Sequence, residues 1–125
     1  MPAPRARGDS DRFLAAIALL SVVALRLIEL RERLRLEPQA PAAASGLDRL
    51  ELEVLALACR RQLDTVQEVA LAIGRLGGHL NRQRDGLPGW ITLWRGMRRL
   101  NNLVEGARLA SRLKKLRSSP FRKFG

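Results

Sequence analysis

Residues 13–36 read FLAAIALLSVVALRLIELRERLRL and form the strongest helical pattern in the chain. Residues 13–25 are uncharged and almost wholly apolar, and from Arg26 onward leucine and isoleucine alternate with charged residues at helical spacing. Because leucine, alanine and arginine are strong helix formers, this stretch predicts a helix over residues 11–36. A helix that is apolar on all sides is normally buried on several of them, so we expect it to need a partner.

A second helix is predicted after a segment rich in proline and alanine. Residues 37–46, EPQAPAAASG, have the composition of a linker. Asp48 and Glu51 then stand at the spacing of a capping box, in which each side chain accepts a hydrogen bond from the backbone amide of the other residue. Apolar residues recur behind this box at helical period, which predicts a helix over residues 47–62.

Two more helices complete the pattern. Thr65 and Glu68 form a second capping-box spacing and start a predicted helix over residues 65–76, which two glycines terminate. Residues 79–89 form a polar loop with Asp-Gly and Pro-Gly turn signals. A long apolar stripe behind this loop predicts a last helix over residues 90–117.

The sequence therefore predicts an all-α fold, with about four helices in a small, loosely packed bundle and no sheet. We expect residues 1–10 and residues 118–125 to be disordered, since both segments are short, terminal and contain proline. Residues 47–117 would form a C-terminal helical domain, joined by the linker to the helix over residues 11–36.

The charge of the chain favours association with polyanions. The formal net charge is +11 and the isoelectric point is about 11.6. Nucleic acid is the first partner that such a charge suggests, although an arginine-rich composition also explains the charge without any partner. With Cys59 and His79 as the only cysteine and histidine, the sequence predicts no zinc site and no cofactor.

A membrane role is an alternative that rests on residues 13–25. This uncharged run is shorter than the ~20 residues that span a bilayer. Arg5, Arg7 and Arg12 precede it, as basic residues precede a signal peptide. No cleavage motif follows the run closely, so the sequence favours a cytoplasmic protein over a small basic membrane-associated or signal-anchored one.

Residues 72–110 read AIGRLGGHLNRQRDGLPGWITLWRGMRRLNNLVEGARLA. The pieces RLGG and LWRG, a basic stretch between them and a later leucine resemble the C-terminal region of the Tn-five-type transposases, the DDE enzymes of bacterial insertion sequences. Residues 11–31 also resemble the helix that follows the catalytic core in that family. The resemblance covers about residues 11–110 and leaves residues 1–10 and 111–125 outside.

The resemblance implies a non-catalytic chain. The family's core holds three carboxylates that bind two divalent metals, and the third lies in a motif that contains tyrosine, just before the matched helix. Residues 1–10, MPAPRARGDS, occupy that place here, and the sequence has no tyrosine. We therefore expect a truncated C-terminal fragment of a cut-and-paste transposase that is not an enzyme, with divalent metal required only in the full-length family. A relic without function is the other interpretation.

In the family, the C-terminal helices form the dimer that pairs two transposon ends. The resemblance therefore implies association with itself or with a full-length transposase, and a dimer interface at Trp90, Leu93, Trp94, Met97, Leu100 and Leu103. The alternative is that these residues pack within the monomer. Non-specific DNA contact is expected at Arg82, Arg84, Arg95, Arg98, Arg99, Lys114 and Lys115. The alternative there is a solvated basic face.

Overall fold

The computed structural model describes residues 5–79 and 86–118, and this part of the chain folds into four α-helices. These are α1 (Arg5–Leu36), α2 (Arg49–Cys59), α3 (Val66–Leu76) and α4 (Trp90–Ser118). A short 3₁₀ helix, Ala42–Ser45, precedes α2. The described residues contain no strand beyond one isolated bridge between Pro41 and Thr65. The prediction of an all-α fold with four helices is confirmed.

Both predicted capping boxes are present. The carboxylate of Asp48 accepts a hydrogen bond from the backbone amide of Glu51 at 2.8 Å, and the Glu51 carboxylate accepts one from the amide of Asp48 at 2.9 Å. Thr65 and Glu68 exchange the same pair of bonds at 3.2 and 3.0 Å. Because the first amides of a helix have no partner within it, these side chains determine where α2 and α3 begin.

The helix bounds differ from the predicted ones by more than two residues at two places. Helix α1 begins at Arg5 rather than at residue 11, since the single Gly8 costs only about 1 kcal/mol in a helix otherwise rich in arginine and alanine. Helix α2 ends at Cys59 rather than at residue 62, because Arg60 adopts a left-handed conformation with φ of 53°. The amide of Arg60 donates to the Leu57 carbonyl and closes the last turn of α2.

The segment between α1 and α2 packs against the bundle. Ala42 and Ser45 are buried in the 3₁₀ helix, and the amide of Ala42 donates to the Asp64 carbonyl at 2.9 Å. The amide of Val66 donates to the Ala40 carbonyl at 2.9 Å. These backbone bonds attach the segment to the beginning of α3, so α1 reaches α2 through an ordered connection.

All four helices contribute to one hydrophobic core. In the two long helices, the buried residues recur every three or four positions and therefore lie along one side. In α1 these are Val23, Leu27, Leu30 and Leu34. In α4 the buried large apolar residues are Leu93, Met97, Leu100 and Val104. Leu55 of α2 and Val66, Val69 and Ile73 of α3 complete the centre of the core.

Both long helices extend beyond this core. Every residue of α1 from 8 to 22, here called the α1 arm, is exposed. Every residue of α4 from 108 to 118, the α4 arm, is exposed as well. At 1.5 Å per residue, the arms are about 22 and 16 Å long. Each arm lacks a partner within the described part of the chain, so the arms are the first places to look for intermolecular contact.

Candidate interaction surfaces

Helices α3 and α4 cross at glycines. A Cβ atom on Gly96 would overlap the carbonyl oxygen of Ile73, and one on Gly77 would overlap the carbonyl oxygen of Thr92. The backbones of the two helices therefore touch directly. Gly77 belongs to the sequence piece RLGG and Gly96 to the piece LWRG. The two pieces that carry the resemblance therefore supply the glycines at which α3 and α4 pack together.

An ion pair fixes α1 to the beginning of α2. The guanidinium of Arg26 donates to both carboxylate oxygens of Glu51, with Nη1–Oε2 at 2.6 Å and Nη2–Oε1 at 2.5 Å. The two side chains are 23% and 8% exposed, and the hydrogen bond to Glu51 raises the pKa of Arg26. Two parallel hydrogen bonds between a guanidinium and a carboxylate fix the relative orientation of the two groups. This contact therefore fixes the orientation of α1 relative to α2, directly after the uncharged run of α1.

The six residues predicted to form a dimer interface divide into two groups. Leu93, Met97 and Leu100 are fully buried in the core of the chain, and a partner cannot reach them while the bundle is closed. Trp94 is half-buried, whereas Trp90 is 47% exposed and Leu103 42% exposed. The structure therefore brings the first three together as core residues and leaves Trp90 and Leu103 at the surface.

Trp90 borders a groove between α1 and the beginning of α4. The guanidinium of Arg31 lies 4.1 Å from the ring centroid of Trp90, within cation–π distance. Ile28, Leu34 and Leu87 also line this open groove, whose volume is about 490 Å³. The contact anchors the indole to α1, so Trp90 contributes to packing within the chain as well as to the surface.

The α4 arm carries a leucine stripe that was not among the predicted interface residues. Leu109, Leu113 and Leu116 are 61%, 50% and 57% exposed, and their spacing of four and three residues places them on one side of the helix. The spacing is visible in the sequence, but these leucines lie at or beyond the end of the resemblance at residue 110. This stripe is a continuous apolar surface on a free helix.

The predicted nucleic-acid contacts also separate. Arg95, Arg98 and Arg99 lie together on one exposed side of α4, next to the end of α3. Lys114 and Lys115 are exposed on the α4 arm, away from that cluster. The remaining two predicted contacts, Arg82 and Arg84, lie outside the described residues.

The sequence matches the family described as Transposase Tn5 dimerisation domain over residues 19–116. The chain belongs to this family. No solved structure matches the chain. The dimerisation domain covers residues 19–116, whereas the resemblance covers about residues 11–110. The domain therefore begins later and extends six residues further. The expectation that residues 111–116 fall outside the family is therefore wrong, and the leucine stripe of the α4 arm belongs to the dimerisation domain.

Other chemistry in the described part of the dimerisation domain is limited. Within residues 5–79 and 86–118 there is no group of three histidine, cysteine or acidic residues that could hold a metal ion. Cys59 is half-buried, and burial raises the pKa of its thiol. Its Sγ lies 3.5 Å from the Ala72 carbonyl oxygen as a hydrogen-bond donor. A thiol in this state is a poor nucleophile at neutral pH.

Helix α1 also has the length and composition of a membrane span. Between Gly8 and Leu36 it contains an 18-residue window with mean hydropathy 2.3, of which 17% is buried. Core helices of soluble proteins and signal sequences pass the same test. In the dimerisation domain, α1 contributes Val23, Leu27, Leu30 and Leu34 to the core, so one side of its C-terminal part has a partner, whereas its arm is exposed on every side.

Proposed function

We propose that the chain associates through its dimerisation domain, with a second copy or with a transposase that carries the same domain, and takes part in DNA transposition without catalysing it. The observation that carries the proposal is the family match over residues 19–116. Under this proposal the chain acts in the cytoplasm and needs no cofactor of its own. Where the partner is a transposase with a catalytic core, that partner supplies the carboxylates and metal ions that cut DNA.

The leucine stripe of the α4 arm is the proposed interface. Leu109, Leu113 and Leu116 form a self-complementary surface, and two copies related by a two-fold axis would cover each other's stripes. An exposed apolar row on a helix without a partner in its own chain is a typical helix-pairing surface. The interface predicted at Leu93, Met97 and Leu100 would require the core to open, so the proposal moves contact to the end of α4.

The charge of the α4 arm gives this interface a recognisable salt dependence. Arg112, Lys114, Lys115 and Arg117 surround the stripe, and the nearest acidic residue on α4, Glu105, already pairs with Arg108 at 2.8 Å. Two copies of the arm therefore repel each other. Because salt screens exposed charges, the dimer should become more stable as salt rises, whereas contact with DNA should weaken.

Sedimentation velocity on the full chain tests the proposal. The variant Leu109→Gln/Leu113→Gln/Leu116→Gln should convert a discrete dimer to a monomer, since it removes the apolar stripe from exposed positions and leaves the core intact. The matched control, Leu14→Gln/Leu19→Gln/Leu20→Gln, changes three exposed leucines of the α1 arm. This control should keep the dimer and lose only larger aggregates. A dimer that survives in the first variant and disappears in the control contradicts the proposal.

Membrane association is a second candidate, and the composition of α1 favours it. Phe13, Leu14, Ile17 and Leu19 are all exposed on the α1 arm, and an apolar arm on every side suits a lipid environment. Flotation of the purified chain with neutral phosphatidylcholine vesicles separates the candidates. Recovery of the chain with the vesicles, abolished by the α1-arm variant, would favour this second function. A chain that stays in the lower fractions would exclude it.

A further inference from the structure

One face of α4 is lined with arginine on the side opposite the core. Arg95, Arg98, Arg99 and Asn102 follow each other by three, one and three residues, so their side chains share one side of the helix. All four are exposed. The buried residues of the same helix segment, such as Met97, face α3 and the other helices. This arginine face therefore contributes nothing to the core and is open to a ligand.

The arginine face forms a groove with the end of α3. Leu76, Gly77 and Gly78 provide the opposite wall, and the volume between them is about 340 Å³. Gly78 has no side chain, and no described residue lies within 4 Å of the position that its Cβ atom would occupy, so this wall is shallow in the described part of the chain. Nη1 of Arg99 donates to the Leu76 carbonyl at 3.3 Å. This bond holds the guanidinium at the groove and uses one of its five N–H donors; the other four form no hydrogen bond with the described residues.

No carboxylate neutralises this groove within the described part of the chain. In residues 86–118 the only acidic residue is Glu105, which pairs with Arg108. Glu68, the acidic residue of α3, caps the opposite end of that helix. The salt bridges formed by the described residues leave out all three arginines of the face. Three positive charges within about one and a half helical turns make a concentrated anion site.

We propose that this groove binds the phosphate backbone of duplex DNA. From Arg95 to Asn102 the helix rises about 10 Å, which equals about three phosphates of one strand at their axial spacing of about 3.4 Å. Planar guanidinium groups bind phosphate oxygens in pairs. Backbone contacts carry no sequence information, so the groove holds DNA in position without reading bases. It is separate from the leucine stripe and gives the dimerisation domain a DNA contact of its own.

A salt titration with matched variants tests the groove. Binding of the full chain to a fluorescein-labelled duplex is followed by fluorescence anisotropy. The groove variant is Arg95→Gln/Arg98→Gln/Arg99→Gln. The control variant Arg12→Gln/Arg60→Gln/Arg61→Gln removes the same number of charges from exposed positions outside α4. Three phosphate contacts correspond to a slope of about −2.7 in the logarithm of the association constant against the logarithm of salt. The groove variant should lose this slope, and the control should keep it.

The expected effect is large enough to measure. Between about 50 and 200 mM salt, the contribution of the groove to affinity should fall about 40-fold in the unaltered chain and be absent in the groove variant. Circular dichroism should give the same helical content for all three proteins, since the altered residues are exposed. Equal losses in the two variants would overturn the proposal, because binding would then follow net charge alone. Binding through the three arginines to anionic vesicles but not to DNA would overturn it as well.

Discussion

The two halves of α4 have the same apolar spacing and opposite environments. Residues 93–104 and residues 109–116 both place large apolar side chains every three or four positions. Met97 and its neighbours are fully buried, whereas the leucines of the α4 arm are half exposed or more. Spacing therefore indicates which residues share a face, and it does not indicate what covers that face. The surroundings of the glycines distinguish the two halves: α3 lies directly against Gly96, and nothing lies within 4 Å of a Cβ atom on Gly106.

The largest effect should come from the two glycines inside α4. In Gly96→Ala, the new Cβ meets the Ile73 carbonyl, so α3 and α4 must separate, and the cost should reach about 3 kcal/mol or more. Gly106→Ala meets nothing within 4 Å and should stabilise the helix by about 1 kcal/mol. Urea unfolding followed by circular dichroism measures both. Equal effects of the two substitutions would show that α3 and α4 do not cross as described.

A second contrast is expected between two side chains of the same helix. Met97→Ala leaves a cavity in the core and should lower the free energy of unfolding by about 2–5 kcal/mol. Leu113→Ala removes an exposed side chain and should change monomer stability by no more than about 0.5 kcal/mol. Thermal and urea unfolding at low protein concentration test the pair. If Leu113→Ala destabilises the monomer as much as Met97→Ala does, the α4 arm packs within its own chain.

The smallest effect concerns a helix cap and its pH dependence. The amide of Asp64 donates to the Glu68 carboxylate and, with the amide of Thr65, lowers the pKa of Glu68 below its ordinary 4.5. Because the folded pKa is the lower one, this contribution to stability is complete above pH 4.5 and disappears as the pH falls through the folded pKa. Glu68→Gln should therefore make the stability of the chain depend less on pH below about pH 4.5.

The control for that measurement is Glu53→Gln, which removes a carboxylate of α2 that caps no helix. The melting temperature of each variant is measured between about pH 2.5 and 6, a range that brackets the ordinary pKa of glutamate. The control should keep the acid-side decline of the unaltered chain. If the melting temperature of Glu68→Gln falls at acid pH as steeply as that of the unaltered chain, Glu68 is not the cause of the fall. The same conclusion holds if the control reduces the fall equally.

The fold was predictable where the deciding interactions are local. Asp48 and Thr65 cap their helices through residues three positions away, so the sequence alone locates the beginning of α2 and α3. Arg60 escaped prediction because a non-glycine residue with positive φ has no strong sequence signal. The ordered segment before α2 also depends on distant backbone partners, such as the carbonyl of Asp64, which no local pattern reveals.

The interaction surfaces were predictable only in part. Arg95, Arg98 and Arg99 lie on one side of a helix, as their spacing indicates, and their contact with DNA stays a prediction. The candidates Leu93, Met97 and Leu100 lie in the core instead. An apolar row has the same spacing whether it faces α3 or a second molecule, so the sequence left both alternatives open. In the structure this row is buried within the chain, and its contact with a second molecule stays a prediction.

The core joins the first helix of the chain to the last, and this has a consequence for synthesis on the ribosome. Leu34 of α1 and Val104 of α4 are about 70 residues apart in the sequence and belong to the same buried cluster. At about 5–20 residues per second, a nascent α1 waits about 4–14 s before its partner helix has been made. Until α4 has been made, α1 can pack only on the 3₁₀ helix and α3, and the part of its buried side that contacts α4 stays exposed together with its arm.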